Sequence, residues 1–253
     1  MPKSVRILGV IPARYASTRF PAKALIDIKG KPMIQWVYEH TLQAKLLDKV
    51  VIATDHPAIA EAIESFGGNY VLTNPNHPSG TDRCYEAFQK TVEHFDYIIN
   101  IQGDEPFIYP EQIDTLAALL DGEVQLATLV KHLKDAHLLF SPNTVKVVLN
   151  SQNEALYFSR SPIPCLRNYP QEEWLQNHTF WKHLGIYAYK TDVFEGFGRL
   201  PKSNLEQAEA LEQLRWLENG YKMKVAETHL ESISIDTPED LQTLLAYLES
   251  KGM

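Results

Sequence analysis

Along the first hundred positions, apolar and polar residues fall into blocks that read as strand, helix, strand. Val5–Ile11 (VRILGVI) is a near-continuous apolar run, the pattern of a strand covered on both faces. Pro32–Leu46 places Ile34, Val37, Tyr38, Leu42 and Leu46 at helical spacing. Val50–Ala53 reads as a second buried strand, Pro57–Phe66 as a helix stopped by Gly67-Gly68, and Tyr70–Leu72 as a short strand. Thr81–Phe95 predicts another helix and Tyr97–Ile101 another buried strand. Repeated βαβ units predict a mostly parallel sheet with helices on both faces. Ligands of such sheets bind beyond the carboxyl ends of the strands, so the loops after Ile11, Ala53, Leu72 and Ile101 are where a site is expected.

The second half is less regular. Thr144–Leu149, Ala155–Phe158 and Leu184–Tyr189 read as strands. Residues 161–181, rich in proline and aromatics, read as a long connection or lobe. Ser203–Asn219 predicts one helix, with Ser203 and Glu206 as a capping box and Gly220 at its stop. On that helix Glu209 and Glu212 would share a face, which by itself reads as a solvated edge. Thr237-Pro238 opens a last helix.

Composition narrows the class. The chain has 253 residues, 44% hydrophobic and 22% charged, which excludes collagen, coiled coil and disorder. No apolar run approaches the ~18 residues of a membrane span, and the polar lead Met1–Arg6 lacks a cleavage pattern, so no signal peptide is expected. Cys84 and Cys165 have no metal-ligand spacing and read as two reduced cytosolic thiols. A net charge of −8 argues against nucleic acid or anionic membrane as partner. Residues 1–31 nevertheless carry seven Lys or Arg against the single acid Asp27. That local excess is either a solvated basic face or a site for a small polyanion such as a triphosphate.

The loop Ile11–Lys23 (IPARYASTRFPAK) favours the second reading. It is long for a βα connection and holds Arg14, Arg19 and Lys23 among hydroxyls and small residues. Neither a dinucleotide GxGxxG loop nor a P-loop GxxxxGK occurs in the chain. After the fourth strand comes Gln102-Gly103-Asp104-Glu105-Pro106. Asp104 beside a phosphate site would need a bridging cation, and Mg²⁺ is held by one or two carboxylates plus substrate phosphates. Alone, the residue reads equally as a cap or turn. Asp236, ahead of the better cap Thr237, is either turn chemistry or a second carboxylate for that metal. Ser79-Gly80-Thr81 opens a helix and presents backbone N–H groups to a ligand. Arg83, in the first turn, opposes the helix dipole, which favours a functional use. His56 and His77 read as structural or exposed, and no nucleophile elbow or metalloprotease helix appears.

Ten blocks, IPARYASTRFPAK, GKPMIQWV, ATD, SGTDR, QGDEP, VKVV, ALYFSRSPIP, KHLGIYAY, LEQLRWLENG and IDTPEDL, occur in order. Together they make the chain similar, essentially end to end, to the 3-deoxy-D-manno-octulosonate (Kdo) cytidylyltransferases, or CMP-Kdo synthetases. Ala16 and Ala22 stand where many members carry glycine, and SISIDTPED replaces a glycine-containing run before the second Asp. The resemblance implies a three-layer α/β sandwich with a mostly parallel central sheet, a Rossmann-like nucleotide-diphospho-sugar transferase (GT-A-like) fold. It would be a single domain with a smaller dimerisation lobe within about 130–235. It implies that CTP and Kdo give CMP-Kdo and pyrophosphate for lipopolysaccharide inner-core biosynthesis, in the cytoplasm, by a homodimer. Arg14 and Lys23 would hold the triphosphate, Asp104 and Asp236 would hold Mg²⁺, and Ala13, Ser79 and Gly80 would meet the cytidine. Arg19, Arg83, Gln102, Ser159, His183, Tyr187, Glu209, Glu212 and Gln213 would line the sugar-acid pocket. A cytidylyltransferase for a related acid (8-amino-Kdo or a nonulosonic acid) and a CTP-binding module without turnover are the alternatives.

Overall fold

The computed structural model describes residues 5–16, 20–197 and 200–250. The chain divides into two compact units, Met1–Ala117 with Glu231–Met253, and Ala118–Leu230. The first carries strands β1 (Ile7–Ala13), β2 (Lys49–Thr54), β3 (Tyr70–Leu72) and β4 (Tyr97–Asn100). Between them lie helices α1 (Met33–Thr41), α2 (Pro57–Ser65) and α3 (Gly80–Lys90). The strands pair in parallel in the order β4-β1-β2-β3, with Gly9 opposite Val50, Ile52 opposite Tyr70 and Leu8 opposite Ile98. β1 is buried along nearly its whole length, as its unbroken apolar run requires. The chain steps from β1 to β2 to β3, then returns past β1 to β4. With right-handed crossovers, that reversal puts α3 on the face opposite α1 and α2. It also opens a crevice between β1 and β4 at their carboxyl ends, the switch point where such sheets bind ligands.

The C-terminal helix Pro238–Ser250 returns to this first unit. Its Leu244 and Leu248 join Ile28, Met33 and Ile235 in one buried cluster, with Trp36 and Phe107 against it. Residues 231–235 lead into that cluster, and the second unit closes at Leu230.

The second unit contains β5 (Leu126–His132), β6 (Lys146–Leu149), β7 (Ala155–Ser159) and β8 (Trp181–Lys190). α4 (Asn204–Glu209), α5 (Gln213–Glu218) and β9 (Met223–Glu227) follow. Here β8 runs antiparallel to β5 and β6, β6 antiparallel to β7, and β9 parallel to β5. The Ala136–Phe140 helix, Trp174 and Phe180 close a second apolar cluster with Leu133 and Leu139. Lys146 is fully buried. Its ammonium donates to the carbonyls of Ser141 (2.9 Å), Thr144 (2.6 Å) and Arg160, so the loop before β6 and the end of β7 close on one charge.

Some helices are shorter than periodicity predicts. α1 ends at Thr41 and α3 at Lys90. The expected Ser203–Asn219 helix is two, because Ala210 takes the left-handed conformation (φ 50°, ψ 49°) between α4 and α5. The capping box at Ser203 and Glu206 forms as its spacing demands, and Glu206 also holds Arg215 of α5 at 2.5 and 2.7 Å. That buried ion pair folds α5 back on α4, which a continuous helix does not permit. A left-handed L-residue costs roughly 1–2 kcal/mol, a penalty glycine escapes, although glycine adds unfolded-state entropy. Ala210→Gly should therefore leave the thermal midpoint unchanged or raise it, by up to about 1 kcal/mol of stability. Ala210→Val should lower it in the same melt.

Candidate active site

The loops after β1, β3 and β4 line the switch point, and the loop after β2 is tied to it through Asp55, which pairs with Arg83 of the cleft wall. A cleft of about 360 Å³ is lined by Ala13, Arg14, Lys23, His77, Ser79, Gly80, Arg83, Gln102, Asp104 and Asp236. Its geometry centres on Lys23, whose ammonium donates to Asp104 Oδ2 at 2.9 Å and Asp236 Oδ1 at 3.0 Å. Two carboxylates far apart in the chain are thus held around one cation. Lys23 starts a short 3-10 turn entered through Ala22, which is left-handed at φ 54°, ψ 27°. The Ala22 N–H closes on Tyr15 O at 3.1 Å. This is the physical reason glycine suits position 22.

Asp104 is aimed by its neighbour. A Cβ at Gly103 would sit 2.4 Å from Pro12 O, so only glycine lets this loop lie against the end of β1. Asp104 O then accepts the Ile235 N–H at 2.8 Å, which fixes the segment entering the C-terminal helix. At that helix start Asp240 accepts from the N–H groups of Asp236 (2.9 Å) and Thr237 (2.8 Å), while Thr237 Oγ1 accepts from Asp240 N–H at 3.3 Å. Asp240 and Thr237 make the cap between them. The Asp236 carboxylate is left to reach Lys23.

Several residues sit differently from expectation. Ser79 caps α3: its hydroxyl accepts from Asp82 N–H at 3.1 Å and donates to the Asp82 carboxylate at 2.6 Å. It therefore offers a ligand its backbone more than its oxygen. Arg83 does not stand unopposed in the first helical turn, because Asp55 pairs with it at 3.0 Å and both are buried. His77 lines the cleft and bonds Glu86. Glu86 also accepts from Asn74 N–H and Lys90 at 2.7 Å. Burial pushes the Glu86 carboxyl up, but these three donors outweigh it and bring it down to about 2. Arg19 lies outside the described residues.

Among the expected sugar contacts, Ser159, Glu209, His183, Tyr187, Glu212 and Gln213 belong to the second unit. Glu209 accepts from the Ser159 hydroxyl at 2.6 Å and the Arg160 N–H at 2.9 Å. Burial raises its carboxyl, yet these bonds hold it below the usual range. The Arg160 guanidinium binds the carbonyls of Glu209, Ala210 and Pro142 at 2.7–3.2 Å. It locks the turn that ends α4, so Glu209 closes one helix while Glu212 caps the next, and they do not share a continuous helical face. His183 is buried, pushed down to about 3 by desolvation with Lys182 adding to it. The Thr128 hydroxyl donates to Ile186 O at 2.8 Å and meets His183 Nε2 at 3.1 Å, which puts the imidazole proton on Nε2. The Tyr187 ring lies 5.2 Å from that imidazole, and burial, then the Glu212 charge, keeps its phenol protonated. Gln213 is buried at the start of α5.

Sequence reasoning gave no individual role to Asp55, Glu86, Thr128 or Lys146. Asp55 had a signal: it follows the buried strand VVIAT at a carboxyl end, where function collects in parallel sheets. Glu86 and Lys146 serve mainly neighbours within about a dozen residues, and Thr128 meets groups on a distant strand.

A cytidylyltransferase family model matches residues 8–239. The 3-deoxy-manno-octulosonate cytidylyltransferase of Parabacteroides distasonis is 55% identical over 252 residues, covering 98% of this chain and 100% of that protein. Its counterpart in Cytophaga hutchinsonii is 54% identical, covering 95% and 97%. A solved structure of CMP:2-keto-3-deoxy-manno-octonic acid synthetase complexed with CTP superposes with a TM-score of 0.90 at 42% identity, covering 97% of this chain and 99% of that one. The mixed α/β fold with its parallel sheet, the cleft at its switch point and the family match over residues 8–239 agree, and the chain belongs to the cytidylyltransferase family.

Proposed function

We propose that this chain activates Kdo with CTP, releasing pyrophosphate and forming CMP-Kdo for lipopolysaccharide inner-core assembly. One observation carries the reading: Lys23 gathers Asp104 and Asp236 beside Arg14, Ser79 and Gly80 in one cleft, in a chain half-identical to named Kdo cytidylyltransferases. In the reaction the anomeric oxygen of Kdo bonds to the α-phosphorus, the α–β bridging bond breaks, and the hydroxyl proton leaves with the medium. Such transfers need positioning and neutralised charge more than covalent help.

Asp104 and Asp236 would hold Mg²⁺. Two carboxylate oxygens are the donor type this cation takes, and among the described residues no group of three or more His, Cys, Asp or Glu could complete a shell. Substrate phosphates would supply the rest. When bound, the ion adds positive charge at phosphate oxygens and acidifies a coordinated hydroxyl. Arg14 and Lys23 hold the triphosphate, with Lys23 opposing charge that develops at the α-phosphate. Ala13, Ser79 and Gly80 face cytidine through their backbone. On the sugar side, neutral His183, the protonated Tyr187 phenol, and Ser159 with Glu209 offer hydrogen bonds to hydroxyls. Arg83 is held by Asp55 and presents only what that pairing leaves. Cys84 and Cys165, neither of them in a disulfide, suit a reducing cytoplasm, and a homodimer is the assembly the family resemblance favours. No helix among the described residues is long and apolar enough to cross a membrane.

Pyrophosphate release with CTP, Mg²⁺ and Kdo tests the whole reading, and a panel of sugar acids separates Kdo from its 8-amino and nonulosonic relatives. CTP binding without any release overturns it. Asp104→Asn should lower kcat by about 10²–10³ in that assay while leaving the melting temperature near wild type. Lys23→Ala should lose turnover too, and it leaves two carboxylates facing each other. Its metal-free melting temperature should fall, and Mg²⁺ should raise it more than in wild type. Acid stability checks His183. Below the unfolded histidine pKa of 6.5 the unfolded chain takes up a proton that the folded site, at about 3, refuses. Stability should therefore be lost as pH falls from 6.5 toward 3, with a slope of up to about 1.4 kcal/mol per pH unit from this group. His183→Gln should flatten the denaturant midpoint against pH between 6.5 and 5.

A further inference from the structure

Three segments of the first unit meet on Asp55, just beyond β2. Its side chain is 7% exposed. Oδ1 accepts the Tyr15 N–H at 3.0 Å, and Oδ2 accepts from Arg83 at 3.0 Å. The other terminal nitrogen of Arg83 donates to Thr73 Oγ1 at 2.6 Å, and the Thr73 hydroxyl continues to Thr54 O at 3.0 Å. The Tyr15 ring lies on His56, centroids 3.8 Å apart and 16° from parallel. Tyr15 O accepts the Ala22 N–H. Tyr15 is therefore fixed at its N–H, its carbonyl and its ring. Arg14 precedes it in sequence, and Lys23 follows the residue that closes on its carbonyl.

We infer that Asp55 is a positioning residue for the triphosphate. Through the Tyr15 amide it pins the neck of the loop from which Arg14 and Lys23 emerge. Through Arg83 it ties that neck to the wall of the cleft and cancels a buried positive charge, which leaves anion binding to Arg14 and Lys23. This rests on the reading of the cleft as a CTP site. Anchoring Tyr15 and the Ala22 N–H that closes on it lowers the ordering cost at Arg14 and Lys23 when the nucleotide binds. Without the pin, binding bears that ordering, and the loss appears as weaker CTP affinity.

The test measures the CTP Kd by calorimetry on the full chain, with each variant held well below its own Tm. Asp55→Ala should weaken CTP by about tenfold or more. Asp55→Asn, which can serve only one of the two donors, should fall between Ala and wild type. A purely structural role would lower the melting temperature and the active fraction but leave the Kd of folded molecules alone. Wild-type Kd in every variant that folds overturns the proposal. If Asp55→Ala does not fold, Asp55→Asn and hydrogen exchange at the Tyr15 amide decide. Slow exchange in wild type that becomes fast in Asp55→Asn, with a raised Kd, supports the pin, and fast exchange in wild type overturns it. Failure of the wild-type chain to bind CTP at all would instead remove the CTP reading, while the exchange measurement would still report on the pin.

Discussion

The cleft depends on one ammonium group held between two carboxylates. Asp104 and Asp236 come from the two separate stretches of chain that make up the first unit, and each would repel the other in the partly dry space they share. Lys23 makes their approach possible by donating to both within 3.0 Å. The trio keeps a net negative charge, so it remains attractive to a further cation, while Arg14 beside it is attractive to anions. On the proposed reading, a nucleotide triphosphate with a divalent ion would meet both demands at once.

Backbone constraints aim this trio. Gly103 allows the loop after β4 to lie on the end of β1, the left-handed Ala22 turns the chain so that Lys23 enters the cleft, and the Asp240–Thr237 cap keeps Asp236 out of helix duty. Each is a local feature of a few residues, and each acts at the crevice where the strand order reverses. The apolar cluster of Ile235, Leu244 and Leu248 with Met33 and Ile28 then holds the returning C-terminal segment in place, since burying such side chains stabilises by about 1.5–3 kcal/mol each. The core thus supplies the energy and the turns supply the direction.

In the second unit the polar groups follow a different logic. Lys146, Arg160 and Glu209 are tied largely to backbone carbonyls and amides, so charge is used to shape turns. Burial and hydrogen bonding set the lowered carboxyl of Glu209, the neutral His183 and the protonated Tyr187 as one group of charge states. A buried charged imidazole or phenolate would carry a desolvation penalty that this set avoids.

Much of the molecule was legible in the order of its residues. Unbroken apolar runs such as VRILGVI and YIINI announce strands buried on both faces, because a parallel sheet covered by helices has no polar side. The same periodicity points to the loops after Ile11, Ala53, Leu72 and Ile101; the first, third and fourth of these line the cleft, and the second supplies Asp55 behind Arg83. Tyr70–Leu72 and the Ser203–Glu206 box also form where the pattern puts them, since strand runs and caps are set by neighbours a few residues away. Tertiary structure alone decided the rest. The break at Ala210, the capture of Arg83 by Asp55 and the meeting of Lys23 with Asp104 and Asp236 each join segments that no local period relates. Periodicity records which face of an element is dry. Which charge answers which other charge depends on where the folded chain returns.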